Sequence, residues 1–130
     1  LDIDYFKQFN DSFGHTVGDE ILINLCGAIK QHIKKTDAVG RWGGEEFCIS
    51  LPNTTLQQAV QIAERIRETL VSIKINNSNH TEIPVPTVSM GIAIFPNEAI
   101  EIIKLIDLAD QRLYIAKGRG RDQIETASTP

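Results

Sequence analysis

Two glycines followed by two carboxylates, Gly43-Gly44-Glu45-Glu46 with Phe47 behind them, sit between two apolar, strand-like stretches. A glycine pair at a tight reversal lets a phosphate come close to the backbone, because no Cβ blocks the approach. Adjacent carboxylates at the same spot suit a hard divalent cation such as Mg²⁺, which takes oxygen ligands and keeps substrate phosphates as partners. Together these residues suggest nucleotide chemistry, although the same run also makes an ordinary charged hairpin turn. A second pair of acids, Asp2 and Asp4, follows the apolar start of the chain. We expect only one of them to face a site. Placed beside the hairpin, that carboxylate and the carbonyl of Ile3 would join Glu45 in one set of oxygen ligands. The alternative is that both acids mark a strand's exit to solvent.

The chain that must position these groups has 130 residues, enough for a single domain with one core. Hydrophobic residues at 42% and charged residues at 23% are ordinary for a soluble globular protein. A net charge of −4 argues against binding a nucleic acid polymer, which rests on a basic face. It leaves a nucleotide substrate open, because a bound divalent ion reverses the sign of a local site. Cys26 and Cys48 have neither metal-ligand nor disulfide spacing and are read as small buried hydrophobes. No apolar run approaches the ~20 residues that span a bilayer. Leu1-Asp2-Ile3 reads as the end of a strand, so the chain is expected to be a piece of a larger protein.

Hydrophobic spacing predicts a short helix over 5–13, a loop over 14–18, and a helix from about 19 to 35 with the stripe Leu22, Leu25, Cys26, Ile29 and Ile33. Runs 37–42 and 47–51 should form a hairpin across the glycines. Asn53-Thr54-Thr55 supplies an N-cap for a helix through Leu70. A second hairpin is expected to pair 71–75 with 85–95, its polar connection (76–80) bounded by Pro84 and Pro86. A last long helix should cover 99–117 and end at Gly118, with Ile124 in a final short strand. This order predicts an α+β domain: a central, mostly antiparallel sheet of about five strands flanked by helices.

Read in order, Asp2-Ile3-Asp4-Tyr5-Phe6-Lys7, Asn10-Asp11, Gly14-His15, Gly18-Asp19 and Arg41-Trp42-Gly43-Gly44-Glu45-Glu46-Phe47 resemble the GGDEF family of diguanylate cyclases. Val88-Ser89-Met90-Gly91-Ile92-Ala93 is similar to that family's core strand. Asp110 to Lys117, with Gly120-Arg121 behind, is similar to its last helix and phosphate-binding end. The likeness covers essentially the whole chain.

The resemblance implies a Mg²⁺-dependent enzyme, Mn²⁺ being the substitute ion, that joins two GTP molecules into cyclic di-GMP and releases two pyrophosphates. Asp2, the Ile3 carbonyl, Glu45 and Glu46 would hold the metal. Glu45 would be the proton acceptor, although a metal-bound carboxylate is a poor base, which leaves Glu46 or solvent as alternatives. Lys7 would stabilise developing phosphoryl charge. Phe6, Asn10, His15, Asp19, Gly43, Gly44, Lys117 and Arg121 would contact substrate. Asp19 would accept from the guanine N1–H and N2–H₂ donors, the amide of Asn10 would both donate and accept, and Lys117 with Arg121 would meet the terminal phosphates. Taken singly, these residues also fit a surface lysine, an Asx turn, an N-cap and a basic helix end.

A product joined from two nucleotides by a domain with one pocket implies a symmetric homodimer. The family's usual input is an upstream sensory or regulatory domain. GTP as substrate points to the cytoplasmic side, with membrane attachment of the longer protein left open. Two departures stand out. Where product-inhibited members carry Arg-x-x-Asp, this chain has Lys34-Lys35-Thr36-Asp37, and lysine cannot reproduce a bidentate guanidinium contact. The family's preceding helix and most of its first strand also lie outside this sequence.

Overall fold

The protein is described by a computed structural model covering residues 1–76 and 81–127. The chain runs β1 (Asp2–Ile3), α1 (Phe6–Phe13), α2 (His15–His32), β2 (Ala38–Arg41), β3 (Phe47–Ser50), α3 (Leu56–Val71), β4 (Ile75–Asn76), β5 (Glu82–Ile83), β6 (Val88–Gly91), α4 (Ile102–Gly118) and β7 (Ile124–Glu125).

The centre is β6. Its Val88, Ser89 and Met90 are buried, as a strand covered on both faces requires. On one side β1 pairs antiparallel, with Asp2 opposite Ser89 and Ile3 opposite Val88. On the other, β7 pairs parallel through Met90 and Ile124. Beyond β1 the hairpin of β2 and β3 attaches by a bridge between Asp2 and Glu46. There the Ile3 N–H donates to the Glu45 carbonyl at 3.2 Å and the Phe47 N–H to the Leu1 carbonyl at 2.8 Å. The strands therefore lie side by side in the order β7-β6-β1-β3-β2, mostly antiparallel, as the sequence predicts.

Helices cover this sheet because their apolar stripes match it. Ile21, Leu25 and Ile29 of α2, Ile66 and Leu70 of α3, and Phe6 and Phe9 of α1 meet Ile3, Phe47, Val88 and Met90 in one core. Thr55 caps α3 in a capping box: its Oγ1 accepts from the Gln58 N–H while Gln58 Oε1 accepts from the Thr55 N–H. α4 lies almost in contact with β6 at Gly91, where a Cβ would stand 2.0 Å from the Ala109 carbonyl oxygen.

Several boundaries differ from the sequence reading. The expected loop over 14–18 is helix from His15 onward, because Gly14 alone (φ 90°) breaks the chain between α1 and α2. α2 stops at His32 rather than near Lys35: Ile33 is extended, and the Asp37 carboxylate takes the Lys34 N–H at 2.7 Å to close a turn. The second hairpin is only β4 with β5, Ile75 opposite Ile83, while Val71 ends α3. Pro84 and Pro86 end that ladder by removing N–H donors, and the strand that follows joins β1 and β7 instead. Positions 77–80 of the polar connection lie outside the described residues. α4 begins at Ile102, after a turn in which the Glu98 N–H donates to the Ile94 carbonyl. Cys26 and Cys48 are half-buried rather than buried, and burial pushes the Cys48 thiol upward.

Glu98 does more than turn the chain. Its carboxylate pairs with the buried guanidinium of Arg112, which also donates to the Ile92 carbonyl at 2.7 Å. The Arg112 hydrogen bond holds Glu98 below the usual carboxylate range. A lowered carboxyl stabilises the fold above its unfolded value and loses that contribution as pH falls through its folded one. Glu98→Ala leaves Arg112 buried without its charge partner, so urea unfolding at neutral pH should show a loss of about 3 kcal/mol. That difference should shrink as the wild type is acidified through the Glu98 titration; an equal difference at every pH would remove this pair from the stability of the fold.

Candidate active site

A cavity of about 200 Å³ opens where β1 gives way to α1 and faces the hairpin tip and the end of α4. Asp2, Ile3 and Glu45 line it together with the cations Lys7, Lys117 and Arg121. Phe6 forms part of its wall while stacking on Phe9 in the core, with ring centroids 6.4 Å apart. Asp2 is 7% exposed, and its Oδ2 accepts from the Lys117 ammonium. A second, smaller cavity of about 130 Å³ lies against it, lined by Asp2, Glu46, Asp110 and Lys117 together with Leu113 and Tyr114.

Thus Asp2 borders both cavities, Glu45 only the first and Glu46 only the second. Successive residues at the start of a strand point to opposite faces, which separates the two glutamates. Among the described residues no group of three or more Asp, Glu, His or Cys side chains converges closely enough to hold a metal ion by itself. Mg²⁺ does not need such a cage. It is held by one or two carboxylates plus phosphate oxygens and waters. Asp2, Glu45 and the adjacent backbone of Ile3 are a donor set of that kind.

Asp4 leaves the site altogether. In a regular strand, residues two apart share a face. Here β1 ends at Ile3 and the chain turns through Tyr5, whose φ of 54° is left-handed. Asp4 therefore points inward and accepts from Ser89 Oγ and Thr87 Oγ1, each at 2.7 Å, and from the Asp122 N–H at 2.9 Å.

The remaining residues singled out from the sequence fall in two groups. Gly43 and Gly44 are exposed at the hairpin tip, and neither needs a left-handed backbone. A Cβ at Gly44 would meet nothing within 4 Å and one at Gly43 only the Glu46 side chain, from 3.6 Å, so packing requires neither glycine. Arg41, which the sequence reading did not single out, holds the tip: its Nε donates to the Gly43 and Gly44 carbonyls and its Nη2 to the Gly44 carbonyl at 2.8 Å. Asn10, His15 and Asp19 are not among the residues lining either cavity; they gather where α1 meets α2. His15 and Asp19 are exposed in the first turns of α2. Asn10 lies against Gly18, where a Cβ would stand 1.8 Å from its Oδ1, and that oxygen is buried without a hydrogen-bond partner. A polar side chain tucked into a glycine slot, with an acceptor unsatisfied, fits a group kept for a ligand.

In class, then, this is an α+β domain with acids and cations lining one cleft between a strand exit and a glycine hairpin. The family model described as "Diguanylate cyclase, GGDEF domain" matches residues 1–123, and the chain belongs to that family. It is 46% identical over 95% of its length to the uncharacterized protein YhcK of Bacillus subtilis, and covers 34% of that protein. It is 39% identical over 96% of its length to diguanylate cyclase DosC of Escherichia coli K12, covering 27% of it. The GGDEF domain of DgcB from Caulobacter crescentus, solved in complex with c-di-GMP, superposes with a TM-score of 0.88 at 29% identity, over 98% of this chain and 75% of that one. The chain thus spans about a third or less of the curated relatives it matches. Among the described residues no helix is long and apolar enough to cross a membrane.

The Asn10 slot can be tested against a matched glycine. Gly27, on the same helix, has nothing within 4 Å of an added Cβ, whereas Gly18 has Asn10. Gly27→Ala should raise stability by about 0.5–1 kcal/mol through helix propensity. Gly18→Ala should show no such gain in thermal unfolding, because its Cβ would meet the Asn10 side chain. Equal stabilisation by both substitutions would mean that Asn10 is not held by Gly18.

Proposed function

We propose that this domain is a diguanylate cyclase, condensing two GTP molecules into cyclic di-GMP with release of two pyrophosphates. The observation that carries the reading is the cleft lined by both the acids Asp2 and Glu45 and the cations Lys7, Lys117 and Arg121. Oxygen donors for a divalent ion and cations for phosphate oxygens, across one opening, are what phosphoryl transfer from a nucleoside triphosphate uses.

Asp2, Glu45 and the Ile3 carbonyl hold Mg²⁺ in this reading, with Glu46 reaching Asp2 from the other side. When bound, the ion offsets charge on the phosphoryl oxygens and makes the attacking hydroxyl more acidic. Lys117 and Arg121 bind the terminal phosphates, and Lys7 balances charge that builds up on the transferred phosphoryl group. The 3′-hydroxyl of one nucleotide attacks the α-phosphorus of the other: the new O3′–P bond forms, the bond to the β-phosphate oxygen breaks, and pyrophosphate leaves. Glu45 takes the hydroxyl proton, with Glu46 or solvent as the alternatives. Asn10 and Asp19 read guanine. Adenine would leave the Asp19 carboxylate without its donors, which penalises the wrong base.

One cleft per chain cannot hold two nucleotides head to tail, so catalysis needs a second copy of the domain facing the first. In the longer protein a sensory or regulatory domain would set that encounter, on the cytoplasmic side where GTP is available. Feedback by product is expected to be weak. Lys34 replaces a bidentate arginine, although only Oδ2 of the Asp37 carboxylate is taken, by the Lys34 N–H, while Oδ1 has no partner among the described residues.

Incubation of the full-length protein with GTP and Mg²⁺ should yield cyclic di-GMP, and chelating the metal should abolish the product. Glu46→Ala and Asp2→Asn should each lower turnover by at least about 100-fold. GTP binding without product, where a known cyclase turns over, would favour a regulatory domain that senses GTP or cyclic di-GMP. Cyclic di-GMP added to the reaction should inhibit little; strong inhibition relieved by Asp37→Ala would contradict the reading of that turn.

A further inference from the structure

Left-handed backbone at residues other than glycine marks stored strain, and such residues gather at functional sites. Here three of them, Tyr5 (φ 54°), Arg121 (φ 64°) and Asp122 (φ 48°), lie in two segments that meet at the mouth of the larger cavity. The Arg121 guanidinium sits 4.5 Å from the centroid of the Tyr5 ring, a cation–π stack. Neither segment would hold this shape by local preference.

The restraint comes from two side chains that touch neither cavity. Asp4, 2% exposed, anchors the first segment to β6 through Thr87 and Ser89 and takes the Asp122 N–H from the second. From α3, Arg67 Nη2 donates to the Asp122 carbonyl at 2.6 Å and to Asp122 Oδ1 at 2.7 Å, while Nη1 pairs with Glu64. Asp122 is thus held at its N–H, its carbonyl and its carboxylate by two elements distant in sequence. The residue before it, Arg121, can then point only where those restraints allow.

We propose that Asp4 and Arg67 are positioning residues for Arg121, fixing the strained Arg121-Asp122 pair so that the guanidinium is stacked on Tyr5 and aimed into the cleft before any phosphate arrives. This rests on the reading of Arg121 as a phosphate ligand only for its functional consequence. The positioning itself is a property of the free protein. A guanidinium fork parked in advance loses less freedom on meeting a phosphate than one drawn from solution.

The test is made on the full chain with Arg67→Ala, Asp4→Asn, Arg121→Ala and the double variant Arg67→Ala/Arg121→Ala. In NMR spectra without nucleotide, the Arg121 side-chain protons of the wild type should be shifted upfield by the Tyr5 ring. That shift should collapse in Arg67→Ala and in Asp4→Asn. With GTP, Arg67→Ala should raise KM about 10-fold while kcat changes less than twofold. The same change should add nothing in the Arg121→Ala background, because the two residues act as one unit. An unaltered Arg121 shift in a folded Arg67→Ala protein would overturn the proposal, as would a full KM effect persisting without Arg121. Arg121→Ala with unchanged KM would instead sink the phosphate role, and the ring-current shift would still decide the positioning. Should Asp4→Asn fail to fold, Arg67→Ala carries the test by itself.

Discussion

Everything in this domain depends on a two-residue strand held from both sides. β1 consists of Asp2 and Ile3, too short to stand as a strand on its own. It persists because Ser89 and Val88 of β6 flank it on one edge and the hairpin attaches to the other through Asp2, Ile3 and the peptide groups of Glu45 to Phe47. Ile3 is 1% exposed and ties this strand into the core, while the alternation along the strand leaves Asp2 on the side where the cavities open. Without that clamp the hairpin and the end of α4 would share no acid, and Lys117 of α4 would lose its carboxylate partner.

Charge in the site follows from the same geometry. Asp2 stands among acids, with Glu45 on one side and Glu46 and Asp110 on the other, and Lys117 is the cation that meets it. A buried carboxylate requires such a partner, because an unpaired charge in the interior costs several kcal/mol (on the order of 3–5 when one member of a pair is removed). In the proposed function the ammonium, a single charge on a flexible stem, would move to a phosphate oxygen and leave the acids to a divalent ion, so that binding would proceed by exchange of partners.

Much of this was legible in the sequence, and the misses have physical reasons. The glycine hairpin, the capped helix starting after Thr55 and the end of α4 at Gly118 could be read because turn chemistry and apolar spacing are local. The pairing of Val88 to Gly91 with β1 and β7 was not legible, since it depends on contacts more than thirty residues away, and β-strand patterns do not name their partners. Only one of Asp2 and Asp4 faces the cavities, as expected, but strand alternation is not the reason, since residues two apart share a face. What separates them is the left-handed turn at Tyr5, which no residue in that segment announces. Arg67 and Asp122 escaped for the same reason: an arginine on a helix face and an aspartate in a loop look like solvated surface until tertiary structure sets them 2.7 Å apart. At Gly18 the glycine was noted as a loop residue, while its use, room for Asn10, depends on where two helices cross.

The most direct test of the central claim is a crystal structure of this chain with Mg²⁺ and a GTP analogue that cannot be turned over. The ion should lie on the Asp2 carboxylate at about 2.1 Å, with phosphate oxygens completing its coordination and Lys117 moved from Asp2 to the phosphates. A nucleotide bound with its metal away from Asp2, while Lys117 stays paired to that carboxylate, would contradict it.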